Sequence, residues 1–356
     1  MPAPCPPEAP FYYTTILHSI AVISAPINLL ALYLVLVRSP GISKYKYGIC
    51  YLQLASFFTE LQQSVVCPGY YFFPLLAGFN TGKVFGSLLR SHIYMTMWTF
   101  YLASEIPAIT WCFIYRHNAA VDMTSSANNK KPRIIKKLAF GVSQLFPFAV
   151  SFSLYMSEIT DEQAYKFLRQ KYPQCTFWLN TKLFAIYDWN SNIWIAYCGL
   201  GALGFICVFV ISGAILGAHT MILLHQLRSL MSAQTYRMHR TALVSLTLQV
   251  IVPSVLLILP LYTCLYVIAM ELVEHQELAT NSTILIACHS LGSSLVMITA
   301  NPRYRKIIRG WVCGPLRRGA AESSMTESST MYRSKTNQRR RKTIEPESFM
   351  HRRSVV

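Results

Sequence analysis

The sequence predicts an all-α membrane protein, a bundle of seven transmembrane helices with its amino terminus outside and its carboxyl terminus inside. Three observations predict it: seven long apolar runs, an excess of apolar over charged residues (53% against 13%), and basic residues gathered in alternate loops. A helix needs about 20 apolar residues to cross a bilayer, and only a helix or a closed barrel satisfies its own backbone there. Barrel strands are shorter and alternate apolar with polar; these runs do neither.

Run one spans Thr14–Val37. Run two, Tyr47–Cys67, carries Gln53, Ser56, Glu60, Gln63 and Cys67 at three- and four-residue spacing, which places them on one polar stripe. It ends in Cys67-Pro68-Gly69-Tyr70-Tyr71-Phe72-Phe73-Pro74, where Pro68 and Gly69 break the helix and the aromatic cluster suits a membrane interface. Run three, His92–Tyr115, carries a second stripe of Tyr94, Trp98, Tyr101, Glu105 and Cys112. By the helical rise both Glu60 and Glu105 fall near mid-bilayer. Ionisable groups at that depth are costly to retain and face the bundle interior. Glu60, Gln63 and His289 are therefore read as intramembrane polar or ion-binding candidates, with a scaffolding role open for the carboxylates and the more common one for a lone histidine.

Run four is Leu138–Met156, and the long loop Ser157–Asn192 after it is rich enough in Tyr, Trp and mixed charge to lid the bundle. Run five, Ile193–Leu224, contains Gly213 and Gly217, a small-residue pair suited to close helix contact. Run six, Ala242–Met270, holds Pro253 and Pro260, each of which frees a carbonyl and marks a kink or hinge. Run seven, Ser282–Ala300, holds His289, Ser290, Ser293 and Ser294. Arg303–Val312 reads as a short amphipathic helix on the inner membrane face, followed by Cys313, a candidate acylation site. Residues 1–312 then form one receptor-sized domain. Residues 313–356 form a basic, Ser/Thr-rich cytoplasmic tail with the composition of disorder.

The net charge of +17 imitates a nucleic-acid binder, but 26 of the 32 Lys and Arg residues fall in the loops assigned to the inside and in the tail. That is the positive-inside pattern, which fixes the orientation and makes the bilayer the partner, with no nucleic acid. The first apolar run is long enough to stay as an anchor, so no cleaved leader is expected. The ten cysteines show no metal-ligand spacing, and neither metal nor cofactor is expected. Cys67 with Cys175 is the preferred disulfide on the outer side, and Cys5 with Cys175 is the rival. Asn281-Ser282-Thr283 is a glycosylation sequon set against the membrane. No catalytic motif is present, so an enzyme is not expected.

Several short pieces in order carry a resemblance. They are Pro26-Ile27-Asn28 with Tyr33, Tyr51-Leu52-Gln53, Pro68 through Pro74 with Ala77-Gly78-Phe79, and Arg116-His117. Tyr172-Pro173 with Tyr187-Asp188, then Gln249, Pro253 and Pro260, complete the series. As far as about Trp311 the chain resembles the nematode serpentine chemoreceptors, a G-protein-coupled receptor-like family, class I most closely and class H next. The resemblance implies a chemosensory receptor in the plasma membrane, in the ciliary membrane of sensory neurons. It would bind a small odorant or pheromone-like ligand and signal to a heterotrimeric G protein, and it leaves homo- or hetero-oligomers open. It implies ligand contact through some of Tyr94, Trp98, Tyr101 and Glu105, and coupling through Arg116, His117, Asn301 and Tyr304. Two departures from rhodopsin-type receptors stand out: Tyr115, not an acid, precedes Arg116, and no cysteine opens run three. The alternatives are a ligand-gated cation channel subunit and a proton-coupled transporter that uses Glu60 and Glu105 as carriers.

Overall fold

The computed structural model describes residues 5–39, 45–82, 86–122, 130–229 and 231–311. The proposed tail 313–356 and Cys313 lie outside the described residues. Two units are distinct, residues 1–301 and residues 302–356.

The first unit is a helical bundle. Run one is α1 (Phe11–Val37), which continues through Pro26. Run two is α2 (Tyr45–Leu61), followed by a π-helical turn over Gln62–Val66. Run three is two helices, α3 (Ser91–Ala103) and α4 (Glu105–Asp122), parted at Ser104. Pro107 explains the break, because it has no N–H for the Ala103 carbonyl and its ring presses on that group. Run four lies in α5 (Lys130–Tyr155). Helix α6 (Asp161–Lys171) is set by a capping box between Thr160 and Gln163. Run five is α7 (Trp194–Gln226), and run six is α8 (Ala233–Ala269), continuous through both Pro253 and Pro260. Run seven is α9 (Gln276–Ala287) and α10 (His289–Ala300), parted at Cys288. Five helical stretches are long and apolar enough to cross a membrane: Phe11–Val37, Lys137–Tyr155, Trp194–Ser229, Ala233–Ala269 and Val273–Ala300. Runs two and three fall short of that measure because the π turn and the break at Ser104 shorten their helices.

In the bundle α2 packs on α1 and α4, α3 on α5, α4 on α7, and α8 and α1 on α10. Gly217 of α7 faces Phe113, where a Cβ would meet the ring at 3.3 Å, whereas Gly213 has nothing within 4 Å. The small-residue pair is thus half used within the bundle.

One end of the bundle carries a small sheet that the aromatic cluster had masked. Strands β1 (Gly69–Tyr71), β2 (Ala77–Asn80) and β3 (Phe184–Ile186) pair antiparallel in that order, with Tyr70 opposite Phe79 and Gly78 opposite Ala185. Gly78 is required there, since a Cβ would meet the Tyr70 carbonyl at 2.7 Å. The sheet has its own core, in which Phe79 stacks on Trp178 at 4.3 Å beside Phe72, Leu168 and Tyr13. The disulfide of this core joins Cys5 to Cys175, with Cα atoms 5.4 Å apart. This corrects the preferred pairing of Cys67 with Cys175. Cys67 caps the π turn, its N–H bonded to the Gln62 carbonyl at 2.8 Å, and it remains a buried free thiol. Cys5 instead lies in the tail that folds over the sheet, within reach of Cys175. The loop read as a lid is therefore a packed cover. Asn281 sits inside α9 with its amide donating to the Tyr12 hydroxyl at 3.1 Å. The second unit contributes a helix over residues 302–311.

Candidate functional site

The two polar stripes meet. Glu60 and Glu105 are 0% and 5% exposed, and both are partnered inside the bundle. Glu60 accepts from the Ser24 hydroxyl and, at 3.2 Å, from the Asn28 amide. Asn28 Oδ1 in turn accepts from Gln53 at 3.0 Å, from Ser290 at 3.2 Å and from Ser294. Gln53 also donates to Ser294. Glu105 Oε1 pairs with His289 Nε2 at 2.8 Å, and His289 Nδ1 donates to the Ile286 carbonyl. Helices α1, α2, α4 and α10 are thereby tied by buried side chains around one level of the bundle.

The backbone is irregular at that level on three sides. Glu60 lies two residues before the π turn, Glu105 follows the break at Ser104, and His289 follows the break at Cys288. Non-helical backbone is tolerated at membrane depth where it is enclosed by protein, and π turns recur at functional sites. Asn28 is the hub that the sequence reading passed over as a site residue. Its signal was available: an amide in the middle of an apolar run obeys the same rule as a carboxylate.

One turn beyond Glu60, the π turn, β1 and α3 enclose a small cavity with room for about one water molecule. Gln62, Gln63, Cys67, Tyr71, Tyr94, Met95 and Trp98 line it. Two atoms of this set, Gln63 Oε1 and Trp98 Nε1, are buried without a partner. The expected ligand residues are therefore divided. Tyr94 and Trp98 line the cavity together with Gln63. Glu105 is engaged by His289 in the polar layer. Tyr101 stacks on Phe58, which is 45% exposed, at the margin of the bundle.

At the far end of α4 the Arg116 guanidinium lies 3.7 Å over the Tyr45 ring, and Tyr45 stacks on Tyr115 at 5.7 Å. An aromatic face occupies the place where an acid was missing from the sequence, and the attraction is a cation–π contact. Arg116 Nε is buried without a hydrogen-bond partner. His117 Nε2 meets His219 Nδ1 of α7 at 2.9 Å. Burial, and next the Arg116 charge, hold His239 below the usual histidine range. Asn301 closes α10 as its C-cap residue. Tyr304 belongs to the separate unit, in the helix over residues 302–311. Pro253 and Pro260 are buried in α8. Among the described residues no cluster of three or more His, Cys, Asp or Glu side chains could hold a metal ion.

Apolar helices long enough to cross a bilayer, enclosing a hydrogen-bonded polar layer, define an integral-membrane helical protein. The chain belongs to the serpentine type 7TM GPCR chemoreceptor family Sri, whose family model matches residues 3–308. It is a multi-pass membrane protein of a chemosensory receptor family, not of an enzyme family. No curated protein matches it.

Proposed function

We propose that the chain is a seven-crossing receptor with its amino terminus outside. It binds a small odorant or pheromone-like ligand near Tyr94 and Trp98 and signals through a heterotrimeric G protein at the opposite end. The observation that carries this reading is the cavity beside the π turn, one helical turn from the polar layer that ties four helices together. A ligand does work only by binding one arrangement better than the other. A molecule that displaces the π turn or α3 alters the spacing of Glu60 and Glu105, and hence which helices the polar layer holds. In this reading α8, freed of backbone bonds at Pro253 and Pro260, is the element that moves, and Arg116 with His117 meets the G protein. The helix over residues 302–311 lies along the inner leaflet, and the receptor gathers in the ciliary membrane of a sensory neuron.

Two measurements test this. Epitope tags on the two termini of intact cells report orientation, and equal accessibility of both ends refutes an odd number of crossings. Expression with a calcium or cyclic-nucleotide reporter, screened against a chemically broad panel, reports coupling. Ion current or substrate uptake without G protein would favour the channel or transporter instead.

A further inference from the structure

The cavity beside the π turn has a specific deficit. The Gln63 amide is oriented by its Nε2, which donates to the Thr283 carbonyl at 2.9 Å. That carbonyl can only accept, so the amide cannot turn over. Gln63 Oε1 is left as a buried acceptor with nothing to accept from, in a side chain that is 4% exposed. Trp98 Nε1, which can only donate, is left with nothing to donate to. Two other groups of the lining are engaged: Gln62 Nε2 donates to the Tyr94 carbonyl at 3.3 Å, and the Tyr71 hydroxyl reaches the Met95 sulfur at 3.7 Å. One orphaned acceptor and one orphaned donor thus line the same small cavity.

Building on the receptor reading above, we propose that this cavity is the seat for the hydroxyl group of a neutral alcohol. The hydroxyl donates to Gln63 Oε1 and accepts from Trp98 Nε1. It is the smallest organic group that does both through one atom, and it matches the single-water room available. An ether, ketone or ester satisfies Trp98 but turns its lone pairs toward Gln63 Oε1. A hydrocarbon satisfies neither group. A carboxylate or ammonium finds no counter-charge in the lining, and Glu105 is already held by His289. The carbon chain of the alcohol takes the space of Met95, an unbranched side chain that repacks easily. The Met95 sulfur gives up the weak contact from the Tyr71 hydroxyl at 3.7 Å. A water molecule presents the same donor and acceptor, so the experiment separates water from alcohol.

The test is equilibrium binding of radiolabelled 1-hexanol to the purified full chain in nanodiscs, with unlabelled 1-hexanol and methyl hexyl ether as competitors. The wild type is expected to prefer the alcohol by about tenfold, the worth of one hydrogen bond. In Gln63→Leu that preference falls to near unity. In Trp98→Phe both competitors weaken by a similar factor. A merely structural role for Gln63 would weaken both competitors together and leave the ratio intact. Gln63→Met serves as a second apolar replacement if the leucine variant does not fold. Absence of displaceable hexanol on the wild type, which leaves water as the occupant, overturns the proposal, as does an unchanged ratio in the Gln63 variants. The readout does not involve a G protein. Binding with the expected ratios but no cellular response would sink the receptor reading and leave this site standing. Responses to another chemical class that survive in both variants would do the reverse.

Discussion

Removing the Tyr45 ring should release the receptor from its resting arrangement. The Arg116 guanidinium lies 3.7 Å over Tyr45, which is 8% exposed. A cation–π contact contributes about 0.5–1 kcal/mol in water and ~2 kcal/mol when desolvated. Tyr45 is buried and Arg116 partly so, which places this contact at about 1–2 kcal/mol. The coupling reading requires that the stack breaks on activation, because Arg116 cannot both cover Tyr45 and face a G protein. Its loss in Tyr45→Leu then multiplies the ratio of active to resting receptor by roughly 5–30. From a resting population of about 1% active, basal output rises to about 5–25% of maximum. Tyr45→Phe keeps the ring face and stays at the wild-type level. The assay is ligand-free second-messenger output, normalised to surface receptor through an amino-terminal tag. Equal basal output from Tyr45→Leu and Tyr45→Phe at equal surface density would refute the reasoning.

Four further outcomes are expected. Asn28→Leu removes four hydrogen bonds from the polar layer, at ~0.6 kcal/mol and at most ~1.7 kcal/mol each within a membrane. It should lower detergent-phase stability by about 2–7 kcal/mol, seen as an earlier thermal transition. Ser143→Ala, whose hydroxyl only returns to the Phe140 carbonyl of its own helix at 2.7 Å, should scarcely move it. Reduction or Cys5→Ser opens a link between residues 170 apart. Loop-closure entropy sets the loss at up to about 5 kcal/mol, and peptide mapping should find Cys5 joined to Cys175 with Cys67 free. Glu105→Gln and His289→Gln should be non-additive in a double-mutant cycle of thermal stability, since each alone strands a buried partner; simple additivity would show that the pair is not coupled. His239, held below the usual histidine range, is neutral in the folded chain while the unfolded chain takes up its proton near 6.5. Its contribution is intact above that pH and is lost as pH falls through the lower folded-state value. Melting between pH 7.5 and 5.5 should flatten in part in His239→Gln.

Much of this was legible in the sequence because membrane helices obey a simple rule. An apolar run must be long, and a polar group within it must face protein. Both stripes, Glu60 with Glu105 and His289, follow from that rule, and the structure joins them. What the rule does not contain is how a helix ends within a run. Pro107 announces the break at Ser104, but the π turn at Gln62–Val66 has no comparable marker. The sheet was hidden for a related reason. Tyr70, Phe72 and Phe79 suit an interface belt and a strand equally well, and only the pairing of β2 with a strand more than a hundred residues later decides between them. The disulfide went the wrong way because spacing along the chain cannot choose between Cys67 and Cys5 as the partner of Cys175, whereas the fold of the first residues over the sheet brings Cys5 to it. The partners of Arg116 and His117 were also out of reach, since Tyr45 and His219 come from distant helices.

Helix α7 differs from its neighbours in how little it surrenders to the interior: of its 33 residues only Thr220 and Leu224 are buried. Among the described residues its polar ties to other helices are the His219 ring and a weak Cys198 thiol contact to the Val150 carbonyl at 3.8 Å. Surface that exchanges leucine for lipid tails gains or loses almost nothing. The outward face of this rod therefore answers only to the lipid, while the side chains around Asn28 hold the other flank in register. Rigidity and freedom lie on opposite sides of one bundle, and exchanges among Val, Ile and Leu along the outer flank of α7 should go unnoticed by the cell.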